Sequence, residues 1–217
     1  MAIEAVIFDL DGVIVSTDEQ HYQAWQRMAD EEGIYFDHEI NHRLRGVSRM
    51  DCVEIILERA SRAYSEEQKQ AMATRKNGYY RELLDGNLAP EHILPGVMGI
   101  LEGLRERGVK SAIGSSSRNS PVILERIGLA DAFDATADGN DISRSKPDPE
   151  VFLIAAERLG VAPECCLVVE DARAGVEAGL AGGMLVLGVG DAEGDERAHA
   201  NAPDLSAMSV DALLAIG

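Results

Sequence analysis

Residues 4–10, EAVIFDL, form a nearly continuous apolar run, which predicts a strand covered on both faces, as in a parallel sheet. The period then changes. Between residues 17 and 32, Tyr22, Trp25, Met28 and Ala29 recur at helical spacing, and Gly33 follows as a stop. Helical patterns continue over 50–64 and 65–84. The second opens with Ser65-x-x-Gln68, a capping-box spacing in which each side chain bonds the other residue's backbone N–H. No strand pattern interrupts residues 16–92.

Beyond Pro95-Gly96 the strands return. A helix over 97–107 stops at Gly108, a strand follows over 110–115, and a helix over 121–127 precedes Gly128. Helices at 152–159 and 175–181 then alternate with apolar strands at 166–169 and 184–189. Such alternation predicts an α/β protein, with a Rossmann-like parallel sheet core and helices on both faces. The all-helical block reads as an insertion directly after the first strand. The expected domains are 1–15 with 93–217 as the α/β core, and 16–92 as an inserted helical cap.

Composition narrows the partners. The chain has 217 residues, 46% of them hydrophobic, which supports a substantial core. Its 38 acidic and 20 basic residues give a net charge of −18, a field that repels phosphate backbones and anionic lipid. Neither nucleic acid nor membrane is expected as a partner, and an anionic substrate would need locally gathered Lys, Arg or metal. Cys52, Cys165 and Cys166, odd in number and without CxxC spacing, fit a reducing compartment. With no basic leader in MAIEAVIFDLDG and no apolar stretch of membrane-spanning length, a cytoplasmic protein is expected. The small, asymmetric insertion and the lack of an exposed apolar helix face lead to the expectation of a monomer.

Polar residues gather where the predicted strands end. The first ends in Asp9-Leu10-Asp11, the second in Ser115-Ser116-Ser117-Arg118-Asn119, and the strand at 166–169 in Glu170-Asp171. Lys146, in SKPDPE, precedes a helix and can reach the same rim. Open parallel sheets bind ligands at the carboxyl ends of their strands. Asp9, Asp11, Glu170 and Asp171 would form an oxygen-rich cluster suited to Mg²⁺. A carboxylate there can attack phosphorus once nearby cations screen the incoming anion. Taken singly, each signal has an ordinary reading: an Asx turn with Gly12, a polar loop, a helix N-cap, a solvated lysine. Their joint placement at strand ends favours chemistry.

FDLDGV, SSSRN, SKPDPEVF and VVEDARAGVEA together resemble the haloacid dehalogenase-like (HAD-like) phosphotransferases, and HYQAW, RGVSR, RKN and LPGV in and after the insertion are similar to the β-phosphoglucomutase branch. The similarity runs from residue 1 to about 190. It implies a HAD-like core carrying Asp9 as a nucleophile that becomes an aspartyl-phosphate, and Asp11 as general acid/base. Mg²⁺ would be held by Asp9, the backbone carbonyl of Asp11, and Asp171, with Glu170 beside it. Ser115, the Ser116 N–H and Lys146 would hold the transferring phosphate. Arg49, Ser117, Arg118 and Asn119 would hold a second phosphate. From the cap, His21 would help bring Asp11 into place and Lys76 would touch the sugar. Thr17, Trp25 and the loop Gly46-Val47-Ser48 would serve hinge motion and substrate enclosure. Trp25 also fits plain core packing. The substrates implied are glucose phosphates, interconverted through a bisphosphate; a sugar-phosphate phosphatase and a non-catalytic phosphate-binding regulator are the alternatives. Arg118 and Ser116 depart from the branch, which commonly has lysine and a small apolar residue there.

Overall fold

The computed structural model describes residues 2–217. Its sheet comprises β1 (Ala5–Phe8), β2 (Lys110–Gly114), β3 (Ala135–Ala137), β4 (Cys166–Glu170), β5 (Leu185–Val189) and β6 (Ala200–Ala202). The helices are α1 (Asp18–Glu32), α2 (His38–His42), α3 (Arg49–Leu57), α4 (Glu66–Asn87), α5 (Val97–Glu106), α6 (Ser120–Arg126), α7 (Glu150–Leu159), α8 (Arg173–Ala181) and α9 (Val210–Leu214). The chain divides into two compact units, one of Met1–Ser16 with Ala89–Gly217 and the other of Thr17–Leu88.

The first unit is the α/β part. All six strands are parallel, in the order β3-β2-β1-β4-β5-β6. Every side chain of β1 is fully buried, as its unbroken apolar run requires. Ile7 packs in one core cluster with Phe152 of α7, Val168 of β4 and Val186 of β5. Burying a side chain of that size is worth roughly 1.5–3 kcal/mol. After β1 the chain turns tightly, Gly12 donating to the Val15 carbonyl at 2.7 Å. Val15 then forms an antiparallel bridge with Ile93, and Leu94 donates to Ile14 at 2.9 Å, so the outgoing and returning segments are bonded to each other.

The second unit is helical, with a core of Trp25, Met28, Phe36, Val53, Ile56 and Met72 among others. Gly33 ends α1 in the left-handed conformation at φ 67°. Both bonds of the Ser65–Gln68 capping box form at the start of α4, at 2.9 and 3.3 Å. The helix anticipated over 50–64 is shorter, stopping at Leu57. Glu58 to Arg62 supply no large apolar side chain to bury. Arg43 instead grips Glu58 through two bonds of 2.8 Å, and Arg62 stacks on the Tyr64 ring.

Candidate active site

Strand register brings the acids together. Phe8 is level with Val169 on β4 and Ile113 on β2, and Asp9 N–H donates to the Val169 carbonyl at 2.9 Å. One residue further, Asp9 and Glu170 lie side by side at the strand ends, with Ser115 following β2. The strand order reverses beside β1, so this is the sheet's switch point, where open α/β sheets form crevices. Carboxylate oxygens of Asp9, Glu170 and Asp171 lie within 4.8 Å of one another.

Lys146 enters this cluster from the loop before α7. Its Nζ donates to Asp9 Oδ1 at 2.6 Å and to Glu170 Oε1 at 2.5 Å, and it lies 4.5 Å from the centre of the Phe152 ring. Burial opposes the ammonium charge, but Asp9 and Glu170 outweigh it and hold the Lys146 pKa above its ordinary value. Glu170 uses both oxygens, since Oε2 accepts from Ala172 N–H at 2.9 Å. Burial pushes the Glu170 pKa up to about 6, with Asp9 adding to the rise and Lys146 opposing it. Burial, then the charges of Glu170, Asp9 and Asp11, push Asp171 up to about 9.

Three buried or half-buried carboxylates against one ammonium leave an excess of negative charge with hard oxygen donors, which fits a divalent cation such as Mg²⁺. The sign of the pH response follows. In metal-free protein, Asp171 keeps its proton when folded and loses it when unfolded, so stability falls as pH rises from the ordinary carboxylate range towards about 9. Between pH 6.5 and 9, the melting temperature in chelator is expected to drop, and added Mg²⁺ to raise it most at the alkaline end. A flat profile that Mg²⁺ leaves unmoved would contradict the metal assignment.

The serine loop is held by its own side chains. Ser117 N–H donates to Ser115 Oγ and Asn119 N–H to Ser117 Oγ, both at 3.2 Å, while Lys146 N–H reaches Ser116 Oγ at 3.5 Å. Arg118 Nε donates to the Gly139 carbonyl at 3.1 Å, and Asn140 returns a bond to the Arg118 carbonyl. A Cβ at Gly139 would crowd Ser116 and Arg118, so the loop after β3 closes directly on them. Neither Gly139 nor the Phe152 ring beneath Lys146 stands out in the sequence. The only available signal for Phe152 was its place in the SKPDPEVF stretch.

Asp11 follows β1 in the α/β unit, bridged to Val15, and the remaining candidates fall in the helical unit. Arg49 is the first residue of α3, whose N-cap Ser48 accepts from Asp51 N–H at 3.2 Å. Gly46 sits at φ 70°, which only glycine adopts without strain, and Val47 N–H donates back to Leu44. Arg45, beside them, pairs with Asp18 at 2.6 Å. Lys76 is buried, with its ammonium 4.6 Å from the Trp25 ring centre, 4.7 Å from that of Tyr80 and 2.7 Å from His21 Nδ1. Trp25 thus packs in the core and also presents a ring face to this cation. Burial, with the Lys76 and Arg49 charges, holds the His21 pKa well below its ordinary value. The neutral ring accepts at Nδ1 from Lys76, which leaves its proton on Nε2. Thr17 Oγ1 and Tyr80 Oη lie 2.7 Å apart, and the His21 ring lies tilted against that of Tyr80 with centroids 4.1 Å apart.

The chain is similar to several known proteins. The β-phosphoglucomutase of Bacillus subtilis strain 168 is 42% identical over 193 residues, covering 88% of this chain and 85% of that protein. The phosphorylated carbohydrates phosphatase of Thermotoga maritima is 33% identical over 185 residues, covering 84% and 82%. The crystal structure of β-phosphoglucomutase from Clostridium difficile matches with a TM-score of 0.90 at 37% identity, over 97% of this chain and 95% of the other. The family model for haloacid dehalogenase-like hydrolases matches residues 3–183. With that match spanning most of the chain and the acids and lysine meeting at the sheet's switch point, the protein is an enzyme that belongs to the haloacid dehalogenase-like hydrolases.

Proposed function

We propose that the protein is a β-phosphoglucomutase, interconverting β-D-glucose 1-phosphate and glucose 6-phosphate through glucose 1,6-bisphosphate. The observation that carries this reading is the 42% identity to the Bacillus subtilis mutase over 88% of the chain. Asp9 attacks the phosphorus of a sugar phosphate, forming the aspartyl O–P bond as the ester O–P bond breaks. Asp11 gives its proton to the departing sugar oxygen and later removes one from the attacking sugar hydroxyl. Lys146 pairs with Asp9 and stabilises charge on the transferring group. Asp9, Asp171 and the Asp11 carbonyl, with Glu170 beside them, would hold Mg²⁺, which would supply charge neutralisation at the phosphoryl oxygens. Ser115 and Ser116 orient those oxygens.

A mutase must hold a bisphosphate, so it needs cations for a second phosphate that a plain hydrolase does not. Arg49, with Arg118, Ser117 and Asn119, fills that role, and His21 and Lys76 act on Asp11 and the sugar. The acidic chain therefore concentrates its positive charge where the anion binds.

The test is a product ratio. Given β-glucose 1-phosphate and a trace of bisphosphate, the enzyme is expected to form glucose 6-phosphate far faster than free phosphate. Stoichiometric phosphate release would favour the second reading, a sugar-phosphate phosphatase like the relative from Thermotoga maritima. Arg49→Ala is expected to cost about tenfold or more in mutase kcat/KM while sparing aryl phosphate hydrolysis. Equal losses in the two assays would refute the second-phosphate role.

A further inference from the structure

The acid cluster is packed against two glycines, and they differ in an informative way. Gly12 has φ 86°, a conformation that by itself calls for glycine, and a side chain there would also strike the Asp171 carboxylate. Gly175, at the first turn of α8, is not among the residues with positive φ, and its N–H donates to the Ala172 carbonyl three residues back at 3.0 Å, as is common where a helix starts. Its backbone makes no demand for glycine. Alanine would favour the helix. What alanine would meet is Glu170: the three atoms nearest a Cβ at Gly175 are the carboxylate carbon and both oxygens of that side chain.

We propose that Gly175 is a positioning residue of the active site: by presenting no side chain, it gives the Glu170 carboxylate room to lie against α8 and hold Lys146 on Asp9. The carboxylate has little other space. It is 1% exposed, with one oxygen on Lys146 and the other on Ala172 N–H. A methyl group at residue 175 pushes it off both partners, because the far end of a side chain yields more easily than a packed helix. Lys146 then keeps Asp9 alone and shifts relative to the reacting oxygens. The inference rests on Asp9 and Lys146 being the reacting pair proposed above.

Four variants decide the matter: Gly175→Ala, Glu170→Ala, the two combined, and Asp9→Asn, each assayed by thermal melting and steady-state hydrolysis of p-nitrophenyl phosphate with Mg²⁺. Gly175→Ala is expected to melt below the parent, because the displaced Glu170 carboxylate stays buried without its partners, and to lose tenfold or more in kcat with KM changed less than threefold. The double variant is expected to be no worse than Glu170→Ala, since the group that the methyl strikes is then gone. Should Gly175→Ala fail to fold while the double variant folds, the same clash is demonstrated. The proposal is overturned if the two losses multiply, if Gly175→Ala keeps full kcat while Asp9→Asn is dead, or if Gly175→Ala folds neither alone nor in the double variant. Turnover persisting in Asp9→Asn would instead remove the reading underneath.

Discussion

Asp9→Asn is expected to lose about 10⁴-fold or more in turnover while melting at or above the temperature of the parent. The two side chains have nearly the same shape, and the amide oxygen can still accept from Lys146 where Oδ1 now does at 2.6 Å. The neutral amide cannot form an aspartyl-phosphate. Stability is spared because the site carries more carboxylates than ammonium groups, so deleting one negative charge relieves Glu170 and Asp171. Glucose 6-phosphate formation and a calorimetric melt, run on the same preparation, check both halves. Activity within tenfold of the parent would exclude Asp9 as the nucleophile.

Lys146→Met is expected to damage both stability and turnover. Methionine keeps much of the volume over Phe152 but removes the charge that Asp9 and Glu170 share, and the Lys146 and Glu170 side chains are only 2% and 1% exposed. Leaving buried carboxylates without their partner costs about 3–5 kcal/mol. The loss depends on pH. Without the ammonium, Glu170 and Asp171 lose the charge that opposes their raised pKa and hold their protons to higher pH when folded than when unfolded, so the deficit is largest near pH 8 and shrinks towards pH 5. Turnover falls by about 10²–10³-fold, the usual effect of removing a preorganised group that stabilises developing charge. Melts of parent and variant at both pH values test this. Equal destabilisation at pH 5 and pH 8 would mean that lysine contributes packing rather than charge.

The candidate rim was readable in the sequence because parallel sheets place their strand-end polar residues next to the most recognisable pattern in the chain. Asp9, Ser115 and Glu170 directly follow or end apolar runs that become β1, β2 and β4. Ser65 and Gln68 were readable for a similar reason: a cap is local. The edge strands were not. β3 and β6 are ATA and ANA, three residues each, too short and too weakly apolar to differ from loop. Missing β3 hid the loop of Gly139 and Asn140 that fixes Arg118. Phe152 under Lys146 and Gly175 against Glu170 were hidden more deeply. Their partners lie elsewhere in the chain or across a turn, and only packing reveals them. The helix after Arg49 ends at Leu57, earlier than its pattern predicts, because Glu58 to Arg62 offer nothing large and apolar to bury.

The bridge between Val15 and Ile93 joins the two ends of the helical insertion at one hydrogen-bonded point. A segment anchored in this way leaves and rejoins the α/β unit at neighbouring points, like a plug-in module on two adjacent pins. A short turn could stand in its place without any strand of the sheet changing neighbours, and so could a different plug. Such modularity lets one phosphoryl-transfer scaffold acquire new substrates by exchange of a graft, while the strands that carry its reactive groups are inherited untouched.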